Sequence, residues 1–282
     1  LVAAWGVDDH TISAVYMAVE AGIVEGILVG DEEMIKKVCA DNNYDTTKLT
    51  VVNNNNELKS ISQAVDMVNA GEADILMKGL CSTDKYMRGI LNKEKGLLPP
   101  KAVLSHVCVV QNPGYHKLLV ISDIAVIPAP DLKQKQAMIG YVANTARALG
   151  VEKPKVAMIT ATEQMLPGMP ACVEAAMLAK MVDRGQIKGC IADGPLALDV
   201  AVDKEAVEIK GLVSPVAGDA DCLLFPNIES ANVFYKTNSM LAAGVKQAGM
   251  MVGAKVPCVL SSRADSIDTK LNSIAIAAMS VK

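Results

Sequence analysis

Short apolar runs alternate along the whole chain with longer stretches of 3.6-residue periodicity, the pattern of strands and helices in turn around largely parallel sheets. The runs at 23–29, 73–77, 155–160, 187–192, 222–225 and 256–260 read as strands of the kind buried on both faces. Helices are expected over 11–21, 57–70 and 171–182, with Gly71 stopping the second and the asparagines at 53–56 forming a turn before it. The strongest helix signal covers 133–149: Asp131 precedes it as a cap, Gln134 stands three residues on, and Gly150 ends it. Ala137, Tyr141, Thr145 and Ala148 form its expected packing face. Pro128 and Pro130 interrupt an apolar run and place a domain boundary near 130. The expected organisation is a first α/β domain of 1–130 with 252–282 and a second of 131–251. The Pro-, Gly- and Met-rich segment 165–170 is a candidate cleft wall.

The chain of 282 residues is long enough for a large core, and with 51% hydrophobic but only 3% aromatic residues that core is built from Val, Ile, Leu, Ala and Met. Global disorder is excluded. Lys and Arg total 27 against 31 Asp and Glu, so the net charge of -4 gives no bias toward nucleic acid. The seven scattered cysteines lack metal-ligand spacing and fit a reducing compartment. No apolar run reaches the roughly 18 residues of a membrane span, and the start lacks the layout of a signal peptide. A soluble cytoplasmic protein with neither membrane nor nucleic-acid partner is expected. His10, His106 and His116 follow no ligand spacing, and no metal site is expected. Phosphate-binding P-loop, dinucleotide fingerprint and G-x-S-x-G elbow are all missing from the sequence.

Four segments carry candidate chemistry. Lys78 and Gly79 end one strand, with Thr83 and Arg88 following; the two cations suit an anion, Gly79 permits close backbone approach, and a strand-end charge is the plainer alternative. Ser262 and Arg263 lie between a strand and a helix start, where unpaired N–H groups, a hydroxyl and a guanidinium suit a phosphoryl group; a capping loop with a surface arginine is the alternative. Asp265 is a candidate cap for that helix, and Asp268 faces either solvent or a reacting group. Asp193-Gly194-Pro195 reads as a turn over the carboxyl end of a strand, with Asp199 beyond it; turn shaping is favoured over a divalent metal. Asn232 and Lys236 share a helix face at i,i+4 spacing, where they present either a convergent amide and ammonium or a solvated face.

At these positions the sequence resembles the phosphate acetyltransferase and phosphate butyryltransferase family, with the nearer likeness to the butyryltransferase branch. The resemblance rests on residues 73–79, Asp193-Gly194-Pro195-Leu196 with Asp199, residues 220–226, Asn232 through Lys236, and Ser262-Arg263-Ala264-Asp265-Ser266, in that order over nearly the whole chain. It implies two three-layer α/β/α domains with a cleft between them, a fold similar to isocitrate and isopropylmalate dehydrogenases, and a homodimer or higher homo-oligomer. It implies reversible transfer of an acyl group between coenzyme A and inorganic phosphate, giving an acyl phosphate. Butyryl-CoA is the leading substrate and acetyl-CoA the alternative. No tightly bound cofactor is implied; coenzyme A and phosphate are substrates. A decarboxylating dehydrogenase-like enzyme and a noncatalytic coenzyme A-binding protein are the remaining alternatives. By the resemblance, Ser262 and Arg263 match a catalytic pair, and Arg88 matches a phosphate-contacting arginine that follows Thr83. Asp268 is the nearest acid for the general base, one residue before the acetyltransferase position, which is Thr269 here. Lys78 and Gly79 join the phosphate site, and Asp193, Gly194, Pro195, Asp199, Asn232 and Lys236 are cleft or coenzyme A contacts.

Overall fold

The computed structural model describes residues 1–261 and 265–281. In chain order β1 (Val2–Ala4), α1 (Asp9–Glu20), β2 (Gly26–Gly30), α2 (Glu32–Asp41), β3 (Leu49–Asn53), α3 (Glu57–Asn69), β4 (Leu76–Lys78) and α4 (Thr83–Ile90) come first. They are followed by β5 (Ser105–Gln111), β6 (Leu118–Ser122), α5 (Leu132–Ala148), β7 (Lys155–Ile159), α6 (Pro170–Asp183), β8 (Ile191–Leu196), α7 (Leu198–Val202), α8 (Lys204–Lys210), β9 (Cys222–Leu224) and α9 (Ile228–Leu241). Last are β10 (Lys246–Val252), β11 (Cys258–Val259) and α10 (Ile267–Met279). The chain divides into two compact units, residues 1–104 with the segment from Ala248 onward, and residues 105–247.

In the first unit the strand order is β3-β2-β1-β4-β11-β10, parallel through β11, with β10 antiparallel beside it. Val2, Ala3, Leu76, Met77, Cys258 and Val259 are all buried, the near-continuous apolar runs that a parallel sheet demands. The helix starts follow side-chain chemistry. Asp8 caps α1 by accepting from the Thr11 amide, and Asn56 caps α3 by accepting from the Lys59 amide. α1 packs on α2 and α10, and α3 packs on α4.

In the second unit the order is β5-β6-β9-β7-β8, with β5 antiparallel to β6 and the rest parallel. Residues 105–130 belong here rather than with the first unit, because β5 and β6 pair with each other and β6 pairs with β9. The proline pair marks a break in the chain, while sheet pairing decides membership. Asp131 and Gln134 do form a reciprocal capping box on α5. The buried face of α5 keeps Thr145 of the expected stripe but is otherwise Lys135, Met138, Ile139, Val142, Ala143 and Ala146.

The strand expected at 187–192 also moves. β8 starts at Ile191 and runs through Asp193, Gly194 and Pro195, so these residues are strand and not turn. Proline is tolerated because β8 is the edge of its sheet. Gly194 is there for packing: a Cβ would sit 2.8 Å from the Met158 Cβ and 3.1 Å from the Ala175 Cβ.

Candidate active site

The carboxyl ends of β1, β4 and β11 lie level, with Ala4 beside Lys78 and Met77 beside Val259. In open parallel sheets this edge is where ligands bind. Tyr86, fully buried on α4, fixes it by donating its hydroxyl to the carbonyls of Leu76 at 3.1 Å and Val259 at 3.2 Å. The chain leaves β4 in close contact with the chain leaving β1, since the amides of Gly79 and Leu80 donate to the carbonyls of Ala4 and Trp5 at 3.0 and 2.9 Å. A Cβ on Gly79 would lie 2.1 Å from the Trp5 oxygen. The glycine therefore serves backbone-to-backbone approach.

Lys78 ends β4 and is only 3% exposed, its Nζ donating to the Gly79 carbonyl at 3.2 Å. A second lysine is buried at the same edge. Lys270, in the first turns of α10 and 4% exposed, donates to the Ser261 hydroxyl at 2.8 Å. Burial and the Lys78 ammonium push its pKa below the ordinary lysine value, against the pull of Asp8 and Asp265. Asp8 uses Oδ2 to cap α1, while its Oδ1 is buried without a hydrogen-bond partner among the described residues. His10 Nδ1 lies 3.2 Å from the Asp265 carbonyl oxygen.

Ser266, not Asp265, caps α10, accepting from the Thr269 amide at 3.1 Å. Asp268 sits in the first turn of α10 with its side chain exposed, where a carboxylate also suits the positive helix end. Ser262 and Arg263 lie outside the described residues; Ser261 is their covalent neighbour. Thr83 opens α4 behind the cap Ser82 and is exposed. Arg88, one turn on, is exposed and holds Asp84 through Nη2 at 3.1 Å and Nε at 3.3 Å. Burial pushes the Cys81 thiol up to about 11, with Lys78 working against it, which disfavours a thiolate there.

The second unit places its six candidates differently. Gly194 and Pro195 are buried within β8, and the Asp193 carboxylate accepts from the Gly194 amide at 2.8 Å. Asp199 pairs with Lys210 at 2.8 Å, which holds its carboxyl below the usual range. The Asn232 amide donates to the Ile124 carbonyl at 3.1 Å, and Lys236 is exposed, its Nζ 5.7 Å from the Tyr235 ring centre. No grouping of His, Cys, Asp and Glu that could hold a metal ion occurs among the described residues.

Lys270, Ser261 and Asp8 are the members that reading the sequence missed. A signal for Lys270 was there: positions 270, 273, 274 and 277 form the buried stripe of α10, and a lysine heads it. Chemically the first unit's edge can receive an anion, with buried ammonium groups as charge, a hydroxyl as donor and carboxylates that moderate the field.

Residues 56–278 match the phosphate acetyl/butaryl transferase family. The chain is 45% identical over 272 residues to the phosphate butyryltransferase of Clostridium acetobutylicum, covering 96% of this chain and 90% of that protein. It is 43% identical over 272 residues to the phosphate acetyltransferase of Thermotoga maritima, covering 96% and 92%. Among solved structures, a branched-chain phosphotransacylase from Enterococcus faecalis V583 superposes with a TM-score of 0.86 at 30% identity, covering 99% of this chain and 98% of that one.

Proposed function

This chain belongs to the phosphate acetyl/butyryl transferase family, and we propose on that premise that it moves a butyryl group reversibly between coenzyme A and inorganic phosphate. It is a phosphate acyltransferase acting on short-chain acyl groups. The observation that carries the phosphate half of the reading is the level edge of β1, β4 and β11, where Lys78 is buried and Ser261 leads into Ser262-Arg263. The butyryl half rests on the greater identity to a butyryltransferase, 45% against 43% for an acetyltransferase. Acetyl and butyryl differ by two methylenes, each worth only about 1–3 kcal/mol of discrimination, so acetyl-CoA is the second substrate to try.

In this mechanism an acidic side chain, Asp268, takes the proton from the coenzyme A thiol, and the thiolate attacks the carbonyl carbon of the acyl phosphate. Phosphate leaves with the electrons of the broken C–O bond. Lys78 and Arg263 hold its charge, and Arg88 joins them by exchanging Asp84 for the substrate. Ser262 or a nearby N–H stabilises the oxyanion. In reverse, phosphate attacks the thioester, and no acyl-enzyme forms. Lys236, with an exposed ammonium, and the half-exposed Asp193 are the second-unit candidates for coenzyme A; Asp199 and Asn232 would first have to release Lys210 and Ile124. The wider reading includes three-layer α/β/α units like those of isocitrate and isopropylmalate dehydrogenases, a homodimer, and a cytoplasmic site of action. Support for the last comes from seven free cysteines. No helix among the described residues is long and apolar enough to cross a membrane.

The test is phosphate-dependent thiol release from acetyl-, propionyl-, butyryl- and branched acyl-CoA, with direct detection of the acyl phosphate. Butyryl phosphate formed fastest supports the reading. Thiol release without phosphate, yielding free butyrate, would overturn it, and faster turnover of acetyl-CoA would move the substrate assignment to the acetyl branch.

A further inference from the structure

Trp5 follows β1 directly, at the carboxyl edge described above, and its φ of 56° lies in the left-handed region. A bulky side chain is strained there, whereas glycine enters the region freely. A glycine stands next in the chain, at position 6, yet the tryptophan takes the left-handed place. Its surroundings hold it firmly. The Trp5 carbonyl accepts from the Leu80 amide at 2.9 Å and from the Val7 amide at 3.1 Å, and Gly79 packs against it with no room for a Cβ. Backbone strain that is over-determined in this way concentrates at ligand-binding sites. The indole itself is half-buried, and no ring contact, cation or side-chain hydrogen bond ties it among the described residues.

One peptide unit joins Trp5 to Lys78. The Gly79 carbonyl accepts from Lys78 Nζ at 3.2 Å, and the Leu80 N–H of the same peptide donates to the Trp5 carbonyl. The ammonium therefore lies within roughly 8 Å of the Trp5 carbonyl oxygen. An acyl phosphate carries its alkyl chain on a carbonyl carbon only one oxygen away from phosphorus. A phosphate held at Lys78 thus sets that chain down within reach of the indole. We propose that Trp5 is a specificity-determining residue of the transfer reaction: its indole forms the apolar wall against which the acyl chain of the acyl phosphate packs. The inference rests on the acyl-transfer reading above, with Lys78 as its phosphate contact, and deepens it by assigning chain recognition to a residue of the first unit. A rigid aromatic face buries methylenes well, which gives a large side chain a purpose where glycine would sit without strain.

Trp5 is the single tryptophan of the chain, so indole emission reports on this position alone. When the wild-type enzyme is titrated, butyryl phosphate is expected to change the emission more than acetyl phosphate does, and inorganic phosphate or free coenzyme A to change it least. Trp5→Gly keeps the left-handed backbone and removes the wall. Its ratio of kcat/KM for butyryl-CoA over acetyl-CoA is expected to fall about three- to tenfold, the loss of packing on two methylenes, while the KM for inorganic phosphate stays within about twofold. Trp5→Phe recovers most of the ratio. A folded Trp5→Gly enzyme with the wild-type ratio would overturn the inference while leaving the acyl-transfer reading intact, and so would emission that answers free coenzyme A as strongly as butyryl phosphate. Wild type lacking any phosphate-dependent product would instead overturn that reading, and this inference with it. Should Trp5→Gly not fold, the titration decides on wild type alone: emission indifferent to butyryl phosphate removes the role.

Discussion

Two clusters of charge, one in each unit, solve opposite problems. In the second unit, Lys117 lies 2.8 Å from Asp219 and 3.0 Å from Asp221, Lys155 is 2.7 Å from Asp219, and His116 is 3.0 Å from it. These groups sit at the amino ends of β6, β7 and β9, where the Asp221 carboxylate also accepts from the Lys155 amide at 2.8 Å. Although burial works against ionisation, hydrogen bonds from Lys117, Lys155 and His116 hold the Asp219 carboxyl well below the usual range. The charges satisfy one another and bind strand ends together. In the first unit Lys78 ends β4 and Lys270 stands in α10, both far more buried, and burial lowers the Lys270 pKa from its ordinary value. The second unit's network is architecture; the buried lysines mark the edge at which the acyl-transfer reading puts phosphate.

Substitutions separate the two kinds of cluster. The largest effect belongs to Arg263→Ala, which should lower kcat/KM for phosphate by roughly 10²–10³-fold, as removal of a donor to developing charge does, without changing the unfolding midpoint. Steady-state kinetics with phosphate as the varied substrate measures it, and wild-type kinetics would take the arginine out of the mechanism. Asp219→Asn should do the reverse, leaving phosphate kinetics alone and costing about 1–2 kcal/mol of stability once solvent screening is allowed for. Its pH dependence has a definite sign. Because the folded carboxyl titrates below its ordinary 3.8, its contribution is fully present above that value and is lost as pH falls toward the folded one. Denaturant unfolding at pH 7 should therefore separate variant from wild type, and the gap should narrow near pH 3. A gap that is constant with pH would mean that Asp219 acts through packing rather than charge.

Local chemistry was readable in the sequence, and pairing was not. Asp131 with Gln134, and the asparagines before Glu57, announced helix starts because a cap is decided within four residues. The strand at 155–160 appeared within one residue of its place for the same reason. β5 and β6 were invisible as members of the second unit, since only pairing with β9, some hundred residues on, assigns them. Asp193-Gly194-Pro195 has turn composition, yet an edge position lets proline stay in a strand and close packing explains the glycine. Lys78 was legible as a cation at a strand end. Lys270 was not, because a lone lysine in a helix is ordinarily solvated and only the packing of α10 on α1 shows it buried.

The carboxyl edge of β1, β4 and β11 is the proposed phosphate-binding edge. Titration calorimetry of inorganic phosphate into wild type, Lys78→Met and Asp219→Asn examines it without requiring turnover. One phosphate site is expected, weakened about tenfold or more in Lys78→Met and unchanged in Asp219→Asn. Equal affinity in wild type and Lys78→Met would contradict it.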